Sequence, residues 1–118
     1  MALSYAPGDD LVFQMESGFG LLRVLGSEGE GRGAVWHILV YDEFFVDVES
    51  AEAALVSGRR LAVREPHLAL TEHAFEKTPA ALLTNRPLND EELEPLRRRQ
   101  REGGAVHDRS LLLMLGMR

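Results

Sequence analysis

Four histidines are the side chains of this 118-residue sequence best suited to binding a transition metal or transferring a proton. They are His37, His67, His73 and His107. None of them forms a His-Glu-x-x-His or His-x-His pair, so a metal site would need carboxylates as further ligands. The candidate carboxylates are Asp42, Glu43 and Glu72. This spacing favours structural or surface histidines, and we predict no metal site.

The other groups able to do chemistry are adjacent acids, serines and a glycine-rich segment. Asp42 and Glu43 follow one another, so on a strand they point to opposite faces and cannot act as an acid–base pair unless a bulge turns them. No serine stands in a Gly-x-Ser-x-Gly elbow. Residues 26–33 lack a Gly-Lys-Ser/Thr ending and carry Glu28 and Glu30, which repel phosphate. We therefore predict a mobile hairpin loop there, no catalytic residue and no cofactor.

Four arginines near the end of the sequence form a basic cluster that could neutralise the phosphates of a nucleic acid. They are Arg97, Arg98, Arg99 and Arg101. Glutamates flank the cluster on both sides, and no aromatic residue is interleaved to stack on bases. The pattern favours a solvated helix face with ion pairs, and nucleic-acid binding is the alternative.

Charge is distributed unevenly along the chain. Residues 1–58 carry ten acidic side chains against two arginines, a net charge of −8, whereas residues 59–118 have a net charge of +2. An acidic half attracts a basic partner, although a solubilising surface accounts for the same pattern. The sequence has no cysteine, no basic-then-apolar leader and no apolar run of the ~18 residues that a membrane span needs. We therefore expect a cytoplasmic protein without disulfides.

The aromatic stretch at residues 34–48 contains the only tryptophan and predicts a long central strand, bent or broken near Asp42 and Glu43. Period-two alternation on both sides of a Ser-Gly turn predicts a hairpin over residues 10–26. Within it, Gly20 indicates a bulge or a close approach of the backbone. The remaining strands are expected near 60–65, 67–71 and 80–84.

Two helices are predicted beside these strands. Residues 50–57 have small apolar residues on one face and either Asp47 or Ser50 as the N-cap. Residues 90–102 follow Asn89, which begins a capping box. The expected class is α+β and mainly antiparallel, either a strongly bent sheet or a small, partly open SH3-like barrel, with two short helices packed outside.

The chain is long enough for one domain with its own core, and we expect a single domain over residues 1–118 with its core at 8–102. The C-terminal segment, residues 105–118, is too apolar to remain free. We expect it to dock on the core or on a second subunit, and in the second case five apolar residues would form a homodimer interface. These are Leu111, Leu112, Leu113, Met114 and Leu115.

Several short stretches resemble the immunity protein 26 family. In the first half they are Gly8-Asp9, Ser17-Gly18-Phe19 and Arg23-Val24-Leu25. In the second half they are Glu72-His73-Ala74-Phe75, Thr84-Asn85-Arg86-Pro87-Leu88 and Glu91-Glu92-Leu93. The likeness covers about residues 8–96, with Leu22 at the family's second glycine and Ser17 at its acidic turn position. It implies a small β-rich domain that neutralises a toxin of a competing bacterium by binding it.

The resemblance and the acidic first half lead to one prediction of function: a non-enzymatic protein-binding module, with a basic toxin domain as the expected partner. The expected contact residues are acidic or aromatic. They are Asp42, Glu43, Phe44, Glu28 and Glu30. Two alternatives stay open, a nucleic-acid-associated small β-barrel protein that uses the arginine cluster and a small metal-dependent hydrolase.

Overall fold

The structure is a computed structural model that describes residues 4–116, and within them the chain forms five strands and four α-helices. In chain order these are β1 (Asp9–Met15), β2 (Gly18–Glu28), β3 (Val35–Phe45), α1 (Val48–Val56), β4 (Val63–Thr71), α2 (Glu72–Glu76), β5 (Ala80–Asn85), α3 (Asp90–Glu102) and α4 (Leu111–Met114). All neighbouring strands are antiparallel, in the order β4-β3-β2-β1-β5. The predicted α+β, mainly antiparallel class is confirmed. The sheet has two free ends and does not close into a barrel.

The predicted hairpin is formed by β1 and β2, which are joined at Glu16 and Ser17. Leu11 and Phe13 face one side of the sheet, whereas Val12 faces the other. Because successive side chains of a strand point to opposite faces, this arrangement follows directly from the alternation in the sequence.

Gly20 sits where the hairpin is most tightly packed. It pairs with Phe13 across the hairpin, and the register between β2 and β3 shifts just after it. A Cβ atom built on Gly20 would lie 2.4 Å from Cζ of Phe13, so the ring lies directly over the glycine backbone. The predicted bulge and the predicted close approach are therefore both present at this residue.

Helices cover both faces of the sheet. The longer helices α1 and α3 pack on the face that includes Val12, and they contribute Leu55 and Leu96 to its core. The short helices α2 and α4 pack on the opposite face, where Phe75 and Leu111 are buried. The two main helices predicted for residues 50–57 and 90–102 are thus confirmed as α1 and α3.

Capping residues fix where these two helices begin. Asp47 is the N-cap of α1 and accepts a hydrogen bond from the backbone N–H of Ser50 at 2.7 Å. Asn89 and Glu92 form the predicted capping box at the start of α3. The cap of α3 fixes the position of the first turn of this helix, in which Oε2 of Glu92 lies 3.2 Å from Nε of Arg23 on β2.

One prediction about strands was wrong, and of the two alternatives for the central strand, bent or broken, the break is excluded. The expected strands at 60–65 and 67–71 are one strand, β4, which continues through Pro66. Pro66 is tolerated because β4 is an edge strand and its register with β3 shifts between Ile38 and Val40. The central strand β3 is not broken at Asp42, whose backbone N–H donates to the carbonyl of Ala62 at 2.8 Å.

The C-terminal segment lies against its own chain as far as the structure describes it. Leu111 and Leu115 are buried in the core, and Leu112 and Met114 pack against its margin. Leu113 is 68% exposed. Of the five residues proposed for a homodimer, four therefore contact the core of their own chain, and residues 117 and 118 lie outside the described part. The homodimer itself stays a prediction.

Candidate binding cleft

Two arginines, Arg23 and Arg86, line the floor of a cleft on the α1–α3 face of the sheet, and the buried carboxylate of Asp10 lies beneath them. Asp10 of β1 is fully buried, and Arg86, just after β5, donates to both of its oxygens, from Nε at 2.7 Å and from Nη2 at 2.9 Å. Nη2 of Arg86 also donates to the hydroxyl of Tyr41 at 3.3 Å. These hydrogen bonds with Asp10 raise the pKa of the Arg86 guanidinium further above its ordinary value.

Arg23 is a second buried guanidinium, and it joins this ion pair to α3. It stands opposite Asp10 in the hairpin register, with Nη1 3.6 Å from the carboxylate. Its Nη2 donates to the carbonyl oxygens of Arg86 and Pro87 at 2.6 and 2.8 Å. Its Nε lies 3.2 Å from Oε2 of Glu92. Because each charge has an opposite charge beside it, the cluster can exist away from water.

The cleft above this floor has a volume of about 840 Å³. Apolar side chains of the strands, of α1 and of the loop before β4 form its wall; these include Leu39, Leu55 and Leu61. Two exposed ion pairs stand at its mouth, Arg59 with Glu43 at 2.7 Å and Arg60 with Glu91 at 2.7 Å. The hydrogen bonds from Arg59 lower the pKa of the Glu43 carboxyl.

The residues that line this cleft combine apolar walls with a few charged groups. Its lining residues include no serine, threonine, cysteine, lysine or histidine among the part of the chain that the structure describes. The carboxylates of Glu91 and Glu92 both face arginines. A concave surface with apolar walls and a few fixed polar groups is typical of a site that holds a ligand or a side chain of a partner.

The predicted partner-binding residues are not all brought together. Asp42, Glu43 and Phe44 lie at the end of β3, where Glu43 holds Arg59 at the mouth of the cleft. Asp42 and Phe44 point to the opposite face of the sheet, since Phe44 pairs with Gly20 beneath Phe13. Glu28 pairs with the first residue of β3, about 30 Å away at ~3.3 Å per residue. Glu30 follows it in the loop at the same end. One small contact area therefore cannot include both groups.

The arginine cluster is largely neutralised within α3. Arg97 pairs with Asp90 at 3.2 Å, and Arg98 and Arg101 both face Glu94, at 3.8 and 3.2 Å. This is the ion-paired helix face that the flanking glutamates suggested. Exposed pairs of this kind are weak, so nucleic-acid binding by the cluster stays a prediction.

Two of the four histidines contact each other. Nδ1 of His37 lies 2.8 Å from Nε2 of His67, and the ring centroids are 5.1 Å apart with only 19° between the planes. The distance between the ring centroids equals the nitrogen–nitrogen distance plus the radius of each ring, so the two rings lie edge to edge. The two facing nitrogens therefore share one proton in a hydrogen bond. Nε2 of His37 lies 3.4 Å from Glu28. The two nitrogens aim at each other rather than at a common metal position.

Other residues named as possible metal ligands are apart from this pair. Glu72 is buried and accepts a hydrogen bond from Nε1 of Trp36 at 2.6 Å. Across residues 4–116, no group of three or more histidine, aspartate or glutamate side chains is placed to hold a metal ion.

The substitution His67→Gln is expected to flatten the pH dependence of stability between pH 6.5 and about 4. Burial, and then the neighbouring His37 and Arg99, lower the pKa of His67 from 6.5 to about 4. As the pH falls, His67 is protonated in the unfolded chain before it is protonated in the folded chain. The contribution of the neutral ring to the free energy of unfolding is therefore complete above pH 6.5 and is lost as the pH falls toward 4. Urea unfolding across this interval measures the effect, with His73→Gln as an exposed control. Equal pH slopes for all three proteins would contradict the assignment.

The residues of the cleft floor could not be located from the sequence. Asp10, Arg23, Arg86 and Glu92 come from β1, β2, the loop after β5 and α3. The one available signal was a charged residue inside each of the first two apolar strands, since a charge at such a position is buried only with a partner.

Comparison of the chain with models of protein families, with curated proteins and with solved structures finds no match. The resemblance to the immunity protein 26 family therefore stays a prediction. Among residues 4–116, no helix is long and apolar enough to span a membrane.

Proposed function

We propose that this protein is a non-enzymatic, cytoplasmic protein-binding module of the immunity type. It binds a basic partner through an acidic rim, defined here as Asp42, Glu43, Phe44, Val46 and Asp47 at the end of β3. One observation carries the proposal: Phe44 is 51% exposed and Val46 is 83% exposed at the end of β3, and the exposed carboxylate of Asp42 lies on the same face of the strand as Phe44.

Exposed aromatic side chains at the centre of a contact supply much of the binding energy of protein interfaces. Phe44 has this exposure without being needed for the core, since it belongs to neither buried cluster. The carboxylate of Asp42 is exposed and makes no ion pair or hydrogen bond with the residues at 4–116. A free carboxylate beside an aromatic anchor favours a partner with positive charge and speeds its association.

The cleft gives the rim a place for one side chain of the partner. Arg59 joins the two regions because it lines the cleft and holds Glu43 with two hydrogen bonds, at 2.9 and 2.7 Å. Phe44 itself points to the opposite face of the sheet, because it pairs with Gly20 beneath the ring of Phe13. A partner that contacts both Phe44 and the cleft therefore covers the end of β3 from two sides. Glu28 and Glu30, at the far end of β3, would contact such a partner only through a second area of its surface.

The test is photo-crosslinking in the native host with benzoylphenylalanine at position 44, and with the same residue at exposed position 113 on α4 as the matched control. We expect one basic protein to crosslink at position 44 and not at 113. Expressed alone, that protein should arrest growth, and co-expression of the wild-type chain should restore it. The same proteins captured at both positions, or none under several growth conditions, would refute the proposal.

Once the partner is purified, Phe44→Ala is expected to weaken binding by about thirtyfold, which corresponds to about 2 kcal/mol for an aromatic anchor. Leu113→Ala is the control and should leave the dissociation constant unchanged. Asp42→Asn should lower the association rate and the dependence of that rate on salt, because it removes a steering charge. Calorimetry and stopped-flow measurements separate these effects.

A further inference from the structure

A second depression, of about 360 Å³, lies between β4 and the C-terminal half of α3 and is separate from the acidic rim. His67 of β4, Arg98 and Arg99 of α3, and the segment 103–105 are among its lining residues. We call this depression the α3 groove. Its volume is at the lower end of the range for small-ligand sites.

Arg99 differs from every other arginine of the basic cluster. Its neighbours Arg97, Arg98 and Arg101 each face a carboxylate, whereas the guanidinium of Arg99 forms no ion pair or hydrogen bond with any residue that the structure describes. Its Nε is buried without a hydrogen-bond partner. A buried donor of a charged group without a partner is costly, so the fold keeps Arg99 in this position at the expense of stability.

The backbone is shaped to hold Arg99 there. A Cβ atom built on Gly104 would lie 3.0 Å from Cδ and 3.2 Å from Nε of Arg99. A side chain at position 104 would require the Arg99 side chain to shift slightly, so the glycine allows this close contact without such a shift. Gly103, with φ of 77°, ends α3 and turns the chain into this path.

His67 presents a second polar group to the groove. Its Nε2 is engaged with His37, and its Nδ1 has no partner among residues 4–116. The carboxylate of Glu28, 3.4 Å from Nε2 of His37, favours a proton on that nitrogen. His37 then accepts the shared hydrogen bond from His67, which leaves Nδ1 of His67 able to take up a proton from solution.

We propose that the α3 groove is a binding site for a phosphate group, held by the guanidinium of Arg99 and by a protonated His67. Arg99 supplies charge-assisted donors suited to a tetrahedral oxyanion. A phosphate dianion balances both cations, which a single carboxylate does not. The volume of the groove limits the ligand to inorganic phosphate or a small phosphomonoester.

Protonation couples to this binding, because burial and the charges of His37 and Arg99 lower the pKa of His67 to about 4 in the protein alone. A bound phosphate dianion offsets the effect of the positive charges beside His67, so phosphate binding must raise the pKa of His67. The charged and titratable groups that face His67 or line the groove with it are Glu28, His37, Glu65, Arg98, Arg99, Glu102 and His107. Glu65 and Glu102 lower affinity for any anion but pair with neither cation.

The experiment is an NMR titration of the full chain with sodium phosphate at constant ionic strength, observing the Nε–H of arginines and the Cε1–H of histidines. We expect saturable shifts at Arg99 and His67, and about a tenfold or greater loss of affinity in Arg99→Gln. Arg101→Gln, the same charge change on the same helix, should alter affinity less than about twofold. Arg99→Lys keeps the charge and should retain part of the affinity.

Two further readouts separate a specific site from general attraction. Phosphate should raise the measured pKa of His67, and it should leave the Cε1–H signal of exposed His73 unshifted at constant pH. Adenosine monophosphate and adenosine, titrated in parallel, distinguish a phosphomonoester from free phosphate as the preferred ligand. Equal losses in Arg99→Gln and Arg101→Gln, or no saturable shift at Arg99 in the millimolar range, would overturn the proposal. These results do not depend on the acidic rim.

Discussion

Replacing Asp10 by asparagine is expected to lower the free energy of unfolding by about 3 kcal/mol, a large part of the stability of a domain of this size. The substitution keeps the volume of the side chain and removes its charge. Arg23 and Arg86 then lose the carboxylate that faces both of them, and Arg23 is buried so deeply that water cannot replace it. Arg86 is partly exposed and recovers some hydration, which places the cost at the lower end of the range for broken buried pairs.

Asp42→Asn is the matched control, since it makes the same chemical change on an exposed residue of a strand. It should change the free energy of unfolding by less than about 0.5 kcal/mol. Urea unfolding of both variants provides the comparison. The double variant Asp10→Asn/Arg86→Gln should cost less than the sum of its single variants, because the second substitution removes a charge that the first leaves unpaired. A loss in Asp10→Asn no larger than in Asp42→Asn would show that the buried pair contributes little.

The parts of the fold that could be predicted are those determined by neighbouring residues in the sequence. The alternation of Leu11, Val12 and Phe13 predicts which residues of β1 lie on each face of the sheet. The capping box at Asn89 predicts the residue at which α3 begins. Such signals act over a few residues and need no knowledge of the rest of the chain. Pro66 is compatible with either the end of a strand or an edge strand, and local sequence cannot choose between the two. The structure has the edge strand, and β4 continues through Pro66.

The candidate site could be predicted only in part. Asp42 and Phe44 are predicted as contact residues because acidic and aromatic residues stand together in the sequence. Their distance from Glu28 depends on the register of β2 with β3. The cleft was missed because its floor is assembled from four separate segments. Within the arginine cluster, spacing along the helix could not distinguish Arg99 from its neighbours, since that difference arises from Gly104 and β4.

The second large effect is expected at the centre of the hairpin, where Gly20→Ala should lower the free energy of unfolding by about 2–3 kcal/mol. The added methyl group would lie 2.4 Å from Cζ and 2.9 Å from Cε1 and Cε2 of Phe13. Phe13 is fully buried between strands and helices, so its ring cannot move away without disturbing the core. A smaller gain from the reduced entropy of the unfolded chain, at most about 1 kcal/mol, offsets part of this cost.

Gly33→Ala is the control for that entropy term, because a Cβ atom at Gly33 meets no atom within 4 Å and the residue does not have a positive φ. It should leave stability unchanged or raise it slightly. Phe13→Leu in the Gly20→Ala background removes the atoms that clash, so the two substitutions together should cost less than the sum of their separate costs. If Gly20→Ala unfolds at the same urea concentration as Gly33→Ala, the ring of Phe13 has room to shift. The hairpin would then be less tightly packed than the contact between Phe13 and Gly20 implies.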